Sequence, residues 1–260
     1  MINQLLDYFY NMVNEEQILN AKEIIENSNK ITVLTGAGIS AESGIPTFRG
    51  SDGLWNNLNP QDIATPQAYK NDPKLVWEWY DWRRRIIDKA APNHGHLALA
   101  EIERQKEKFT LITQNIDGLH QVAGSQNIVE LHGNIWEVRC EKCGQVRKNY
   151  EVPLPELPPK CTECGEIARP NVVWFTEIIP MQLIDTALLS IEESDLMIII
   201  GTSGVVEPAA SMGLLAKQSD KKVIEINLEE TPNTGIYDIS IQEKSGAILP
   251  LFYDIAATYN

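Results

Sequence analysis

No apolar run in the 260-residue sequence approaches the roughly 20 residues that a membrane span requires; the longest lies near Leu196–Ile200. The first residues, MINQLLDYFYNMVNEE, have neither the basic flank nor the small-residue cleavage site of a secretory leader. Basic residues are few: 22 Lys and Arg against 36 Asp and Glu leave a net charge of −14, which disfavours phosphate backbones and argues against a nucleic-acid partner. Repeats and low-complexity tracts are absent, and only residues 152–160, with four prolines, read as an extended irregular loop. Cysteine and histidine are scarce, four of each. These absences exclude membrane-spanning and disordered classes and predict a cytoplasmic protein. What remains, 43% hydrophobic and 22% charged residues, suits a folded chain of one large domain, alone or with a smaller partner.

Strand-like runs rich in β-branched residues occur at 31–35, 109–113, 128–130, 196–200 and 223–226, most of them separated by segments long enough for helices. The first 29 residues have helical spacing and lead directly into the first run. This rhythm predicts an α/β fold, a Rossmann-like parallel sheet with helices on both faces, whose ligands bind beyond the carboxyl ends of the strands. Residues 46–91 interrupt it with a Gly/Asp/Asn-rich loop and the run DPKLVWEWYDWRRRIIDKA, read as an inserted helical lobe. There Asp72 suits an N-cap and Pro73 the first helical position. The expected division is 1–45, 92–133 and 171–260 for the main domain, 46–91 for the inserted cofactor loop and helices, and 134–170 for a small zinc-binding lobe.

All four cysteines fall in two C-x-x-C pairs, Cys140/Cys143 and Cys161/Cys164, each followed by glycine. Four thiolates on two tight knuckles suit a closed, structural zinc shell. Two disulfides are the alternative, disfavoured in a reducing compartment. Gly36-Ala37-Gly38-Ile39-Ser40-Ala41 follows the first strand and fits the G-x-G-x-x-G/A form that brings backbone amides to a pyrophosphate, although a tight strand-to-helix turn also accounts for it. The acidic residue expected about 20 positions later is missing, which disfavours an ordinary dehydrogenase. Gln114-Asn115-Ile116-Asp117 follows the second strand and His132 the third. A lone histidine is often structural, but His132 alone among the four sits at a strand end beside a glycine, and imidazole suits a general base near neutrality.

Taken together, GAGISAESGIPTFRGSDGLW at 36–55, QNIDGLH at 114–120, LHG at 131–133, the paired C-x-x-C, RPNVVWF at 169–175, GTS at 201–203 and EINLE at 225–229 resemble the sirtuin motifs in family order, over roughly residues 20–252. The resemblance implies NAD as co-substrate, one structural zinc, and acyl-lysine proteins or peptides as substrates. It places Gly36, Ala37, Gly38, Ser40 and Ala41 at the pyrophosphate. Phe48, Arg49 and Trp55 fall in the cover over the nicotinamide and its ribose. Gln114 and Asn115 go to the ribose side, and Ile116 and Asp117 to the carboxamide. Gly201, Ser203 and Asn227 fall to the adenosine half, Asn227 replacing the missing acidic residue, and Thr202, Leu228, Glu229 and Ala247 join the cofactor-binding set. In that family the acyl oxygen displaces nicotinamide from the ribose, and a histidine, here His132, acts as base; Asn115 and Asp117 complete the implied catalytic set. Val172, Val173, Trp174 and Phe175 would line the acyl-lysine tunnel and offer backbone to the peptide. Thr176 stands where many members have glycine.

Within the family, Tyr80-Asp81-Trp82-Arg83 resembles the Y-x-x-R signature of the branch that removes succinyl and malonyl groups. Val76, Tyr80, Arg83 and Ile87 follow 4-3-4 steps down one helical stripe, so a phenol and a guanidinium emerge together, and a guanidinium fork binds a carboxylate. The competing reading makes Arg83, Arg84 and Arg85 a solvated basic face. Ser51 departs from the alanine common in that branch. The sequence therefore points to an NAD-dependent lysine deacylase for acidic acyl groups with deacetylation beside it. The alternatives are a deacetylase proper, a mono-ADP-ribosyltransferase or NAD hydrolase on the same fold, or a zinc-ribbon binding module that senses NAD.

Overall fold

The structure, a computed structural model, describes residues 2–49, 53–57 and 59–253, with side chains from Glu15 onward except Trp55. Ser51 therefore lies outside the described residues. Helix α1 (Ile2–Asn27) leads into β1 (Lys30–Thr35), and α2 (Ala37–Ala41) follows at once. Three helices form the inserted lobe: α3 (Pro60–Ile63), α4 (Pro66–Asn71) and α5 (Pro73–Ile87). Each starts with proline behind a side-chain cap, Asn59 accepting from the Gln61 amide, Thr65 from Ala68 and Asp72 from Leu75. The expected start of α5 is met: the missing proline N–H falls where no intrahelical partner exists.

The chain continues through α6 (His94–Gln105), β2 (Lys108–Thr113), α7 (Leu119–Ala123) and β3 (Ile128–Glu130). The small lobe follows as β4 (Gly133–Cys140), β5 (Val146–Lys148) and β6 (Ala168–Val172), an antiparallel sheet with β4 central. Then come α8 (Met181–Glu193), β7 (Leu196–Ile200), α9 (Ala209–Gln218), β8 (Lys222–Asn227), β9 (Ile239–Gln242) and α10 (Ser245–Ile248). The main sheet has order β3-β2-β1-β7-β8-β9, every pair parallel, as the alternating rhythm predicts. Sequence reading passed over β9, a four-residue edge strand whose Ile-Ser-Ile-Gln pattern leaves only Ile241 buried.

Successive strand residues face opposite sides, so the sheet carries two cores. Ile31, Val33, Leu111, Ile198 and Ile224 pack with Ala21 and Ile25 of α1 and Leu99 and Ile102 of α6. On the other face Leu34, Ile112, Met197 and Ile199 pack against Ala187 and Ile191 of α8 and Met212 of α9. A third core joins Val76, Trp77 and Tyr80 of α5 to Ile135, Val138 and Trp174, so the helical lobe is seated against the small sheet. Arg84 is fully buried there, donating to the carbonyl and the side-chain oxygen of Asn149. No helix among the described residues is long and apolar enough to cross a membrane.

Thr35 pairs with Thr113 on one side and Ile200 on the other, so β1, β2 and β7 end level. Each residue just past a strand then donates to a carbonyl at the end of its neighbour: Gly36 to Ile200 at 2.9 Å, Gln114 to Thr35 at 3.0 Å, Gly201 to Ile226 at 3.0 Å. Strand order reverses between β1 and β7, which opens a crevice at that edge.

Candidate active site

A cleft of about 860 Å³ occupies the crevice. At its floor two turns of the chain, 36–38 and 201–202, pass within backbone contact. A Cβ on Gly38 would lie 2.6 Å from the Gly201 Cα, and one on Gly36 would lie 2.7 Å from the Gly201 carbonyl oxygen. Gly201 itself has φ of +60°. Only glycine permits this approach, which packs the turn after β1 directly onto the turn after β7 at the base of the cleft. Thr202 fixes the rim, accepting at its hydroxyl from Gln114 Nε2 (3.1 Å) and at its carbonyl from Asn227 Nδ2 (3.0 Å).

Of the sequence-assigned cofactor residues, Ala37, Ala41, Phe48, Arg49, Asn115, Ile116, Ser203, Leu228 and Glu229 also line the cleft. Ser40 and Asp117 stand behind the wall. Ser40 Oγ donates to Asp117 Oδ2 at 2.8 Å, and the Leu119 amide donates to Oδ1 at 2.9 Å. Burial raises the Asp117 carboxyl above its ordinary range against those hydrogen bonds. Ala247 is exposed in α10 and does not line the cleft; Trp55 falls in the turn Leu54–Asn56, its side chain outside the described set.

Sequence reading missed His96 and His120, which lie buried beside this network with ring centroids 4.8 Å apart. The Asn93 amide donates to His96 Nδ1 at 3.4 Å, so Nε2 carries the proton and faces Ser40 Oγ at 3.4 Å. Desolvation lowers His96 to about 4 and His120 well below the ordinary imidazole value. Neither histidine sits at a strand end, the signal that singled out His132. Ile45 and Pro46, within the segment 41–55 expected to cover the nicotinamide, line the cleft wall, as do Trp79 and Glu177, which the reading missed.

His132 is half-buried and faces the cleft. Its Nδ1 lies 2.9 Å from the Gln114 carbonyl, which only accepts, so Nδ1 holds the proton and Nε2 the lone pair. Burial lowers its pKa; the bond to Gln114 works the other way.

The far end of the cleft is made by α5 and residues 172–176. Val76, Tyr80, Arg83 and Ile87 are all buried on the stripe expected from their spacing. The basic run is not a solvated face: Arg83 is 5% exposed and Arg84 not at all, while Arg85 alone turns outward, paired with Asp81. Tyr80 Oη accepts from Trp174 Nε1 at 2.9 Å, and burial pushes the phenol up to about 12, so it keeps its proton. The Arg83 guanidinium lies 4.5 Å from the Phe48 ring centroid, and its Nη1 is buried with no hydrogen-bond partner among the described residues. Thr176, at the cleft mouth, has φ of 71°, the left-handed conformation that glycine would adopt freely.

In the small lobe the four cysteine Sγ atoms lie within 4.8 Å of one another. The knuckles match: Gly144 donates to the Cys140 carbonyl and Gly165 to that of Cys161, both at 3.0 Å. None of the four is disulfide-bonded, and Sγ pairs at 3.5 Å are too far apart for a disulfide. A tetrahedral zinc with Zn–S near 2.3 Å spaces its sulfurs about 3.8 Å apart, so the cluster fits a structural zinc.

Comparison with known proteins agrees with this geometry. The Sir2 family model matches residues 36–208. The chain is 55% identical over 230 residues to an NAD-dependent protein deacylase of Aquifex aeolicus, covering 88% of this chain and 96% of that one. It superposes on the crystal structure of a Sir2 homolog–NAD complex with a TM-score of 0.84 at 46% identity, covering 90% of this chain and 91% of the other. A structure of Sir2 with a p53 peptide and NAD+ gives 0.79 at 32% identity, with 88% and 93% covered. With the family model matching residues 36–208 and relatives of 55% and 46% identity covered over nearly their whole length, the chain belongs to the Sir2 family.

Proposed function

We propose that this chain is an NAD-dependent protein-lysine deacylase that prefers acidic acyl groups, succinyl and malonyl, over acetyl. Support for the activity comes from relatives named as NAD-dependent protein deacylases and from a cleft lined by Gly36, Gly38 and Gly201 at the point where the strand order reverses. NAD would supply a ribose carbon that becomes electrophilic as nicotinamide leaves. On this reading Gly36, Gly38 and Gly201 hold the pyrophosphate, Gln114 and Asn115 the nearer ribose, and Asn227 the farther one. His132 Nε2, the ring's free lone pair, takes the proton of a sugar hydroxyl. Val172 to Phe175 carry the acyl-lysine, whose peptide adds as a strand.

The observation that carries the acyl class is the buried Arg83 Nη1, unpartnered among the described residues and next to the protonated Tyr80 hydroxyl. Asp117 acts on Arg83 through space, but a desolvated guanidinium nitrogen without a hydrogen bond is costly, and a substrate carboxylate would satisfy it. An acetyl group offers no such partner. The test is one peptide carrying acetyl-, succinyl-, malonyl-, glutaryl- or long-chain acyl-lysine, incubated with NAD and followed by mass spectrometry. We expect the acidic acyl peptides to turn over fastest, each giving one acyl-ADP-ribose per lysine freed. Acetyl leading the series would remove the acidic preference, and nicotinamide release without acyl product would point to hydrolysis or ADP-ribosyl transfer.

A further inference from the structure

Arg169 is 1% exposed and does not line the cleft, yet three groups that shape the cleft's far end converge on it, and Glu141 Oε1 lies 3.3 Å from its Nη1 on the other side. Its Nη1 and Nη2 hold Glu177 in a fork, at 2.7 Å to Oε1 and 2.8 Å to Oε2, and Nη2 also reaches the Val172 carbonyl at 3.1 Å. The guanidinium carbon sits 3.4 Å from the centroid of the Trp174 ring. Glu177 Oε2 accepts in turn from the Trp174 backbone amide at 2.9 Å. Trp174 is thus gripped at its ring by the arginine and at its backbone by the arginine's partner. Burial alone would raise the Glu177 carboxyl, but hydrogen bonds from Arg169 and the Trp174 amide draw it below the usual range, so the pair stays ionised.

The gripped indole has one donor, and it points at Tyr80 Oη. A phenol has one hydrogen and two lone pairs; once a lone pair accepts from the indole, the hydrogen is turned elsewhere. With the indole behind it, the phenol's hydrogen is directed into the cleft, on the side where Arg83 lies one helical turn away. We propose that Arg169 and Glu177 are positioning residues for acyl selectivity: they hold the Trp174 indole so that Tyr80 presents its O–H, and not a lone pair, to the acyl carboxylate. The selectivity half of this inference rests on the acidic-acyl reading above; the hydrogen-bond relay does not.

Two measurements separate the halves. In a ¹H–¹⁵N spectrum of the zinc-loaded protein, the Trp174 indole signal, assigned by its loss in Trp174→Phe, should move in Tyr80→Phe and also in Arg169→Met. In kinetics, Arg169→Met should lower the succinyl-to-acetyl ratio of kcat/KM about three- to tenfold, the scale of one hydrogen bond, through KM for the succinyl peptide. Acetyl kcat/KM should stay within about twofold. In a Tyr80→Phe background the same substitution should leave the ratio nearly unchanged, because the group it acts through is gone. Arg169→Lys, which keeps the charge but loses the planar fork, should fall between. If Arg169→Met fails to fold, Glu177→Gln loosens the grip with little change of shape and should reproduce both shifts. An indole signal that ignores both substitutions overturns the relay, and so does a ratio change that persists undiminished in Tyr80→Phe. If the wild type shows no preference for succinyl while the indole signal moves as described, the relay stands and the acidic-acyl reading falls.

Discussion

His132 Nδ1 lies 2.9 Å from the Gln114 carbonyl, a bond that fixes the tautomer and aims the unprotonated Nε2 at the cleft. A base of this kind contributes roughly 10²–10⁴-fold, so His132→Ala should lose at least about a hundredfold in kcat while still binding NAD. Because the ring works deprotonated and burial lowers its pKa below 6.5, activity should fall only as pH drops below 6.5. An acid limb above pH 6.5, or retention of more than about a tenth of kcat in the variant, would remove the assignment.

His96 gives a stability signature with its own sign. Its folded-state pKa is about 4 against an ordinary 6.5, so below 6.5 the unfolded chain binds the extra proton first. The contribution is fully present above pH 6.5 and is lost as pH falls toward 4, on the order of 3 kcal/mol in all. Asp117 and Glu130, raised by desolvation, act with the opposite sign, so variants must be compared at each pH. Urea unfolding at pH 7.5 and 5 should show a smaller acid loss in His96→Gln than in wild type. Equal losses would mean that His96 already carries its proton when folded.

The zinc shell should be a folding element. Cys161→Ala removes a ligand from a lobe whose sheet is only three strands, so bound zinc, soluble yield and melting temperature should all fall. Metal analysis and a thermal melt check this; unchanged stability without zinc would contradict it.

Sequence periodicity made the main sheet legible because β1, β2, β7 and β8 carry long buried apolar runs, whereas β9 presents one buried isoleucine and was passed over. The strand-end polar residues were legible for a topological reason: level parallel strands bring whatever follows them to one edge. Arg169 and Glu177 were not legible in those roles. They lie eight residues apart across a strand and a turn, and nothing in their spacing says that they share Trp174. The two buried histidines escaped for a similar reason, since their partners come from separate segments of the chain.

Thr176 sits in a left-handed conformation that costs a side-chain-bearing residue about 1–2 kcal/mol. Thr176→Gly relieves that but loosens the unfolded chain by about 0.5–1 kcal/mol, leaving a net gain near 0.5–1 kcal/mol. Thr176→Ala should gain less, since alanine keeps the Cβ. Chemical denaturation of the three proteins ranks them; a Thr176→Gly protein less stable than wild type would show that the threonine makes compensating contacts.

Arg83 and Tyr80 share the buried stripe of α5 and close the far end of the cleft. Replacing Arg83 with Met keeps length and apolar contact with Phe48 but removes the fork, so a succinyl carboxylate would enter a desolvated site without its counter-charge. Losing one side of such a pair costs about 2–5 kcal/mol, roughly 30-fold to several-thousand-fold in kcat/KM. Acetyl-lysine brings no carboxylate, and deacetylation should hold within a few-fold or improve as the buried charge disappears. Tyr80→Phe should bias the enzyme the same way but more mildly, through one hydrogen bond worth about 1 kcal/mol. The deciding quantity is the succinyl-to-acetyl ratio of kcat/KM in each protein. A ratio unchanged by Arg83→Met would make the arginine a structural residue, held by the Phe48 and Trp79 rings and not by any substrate.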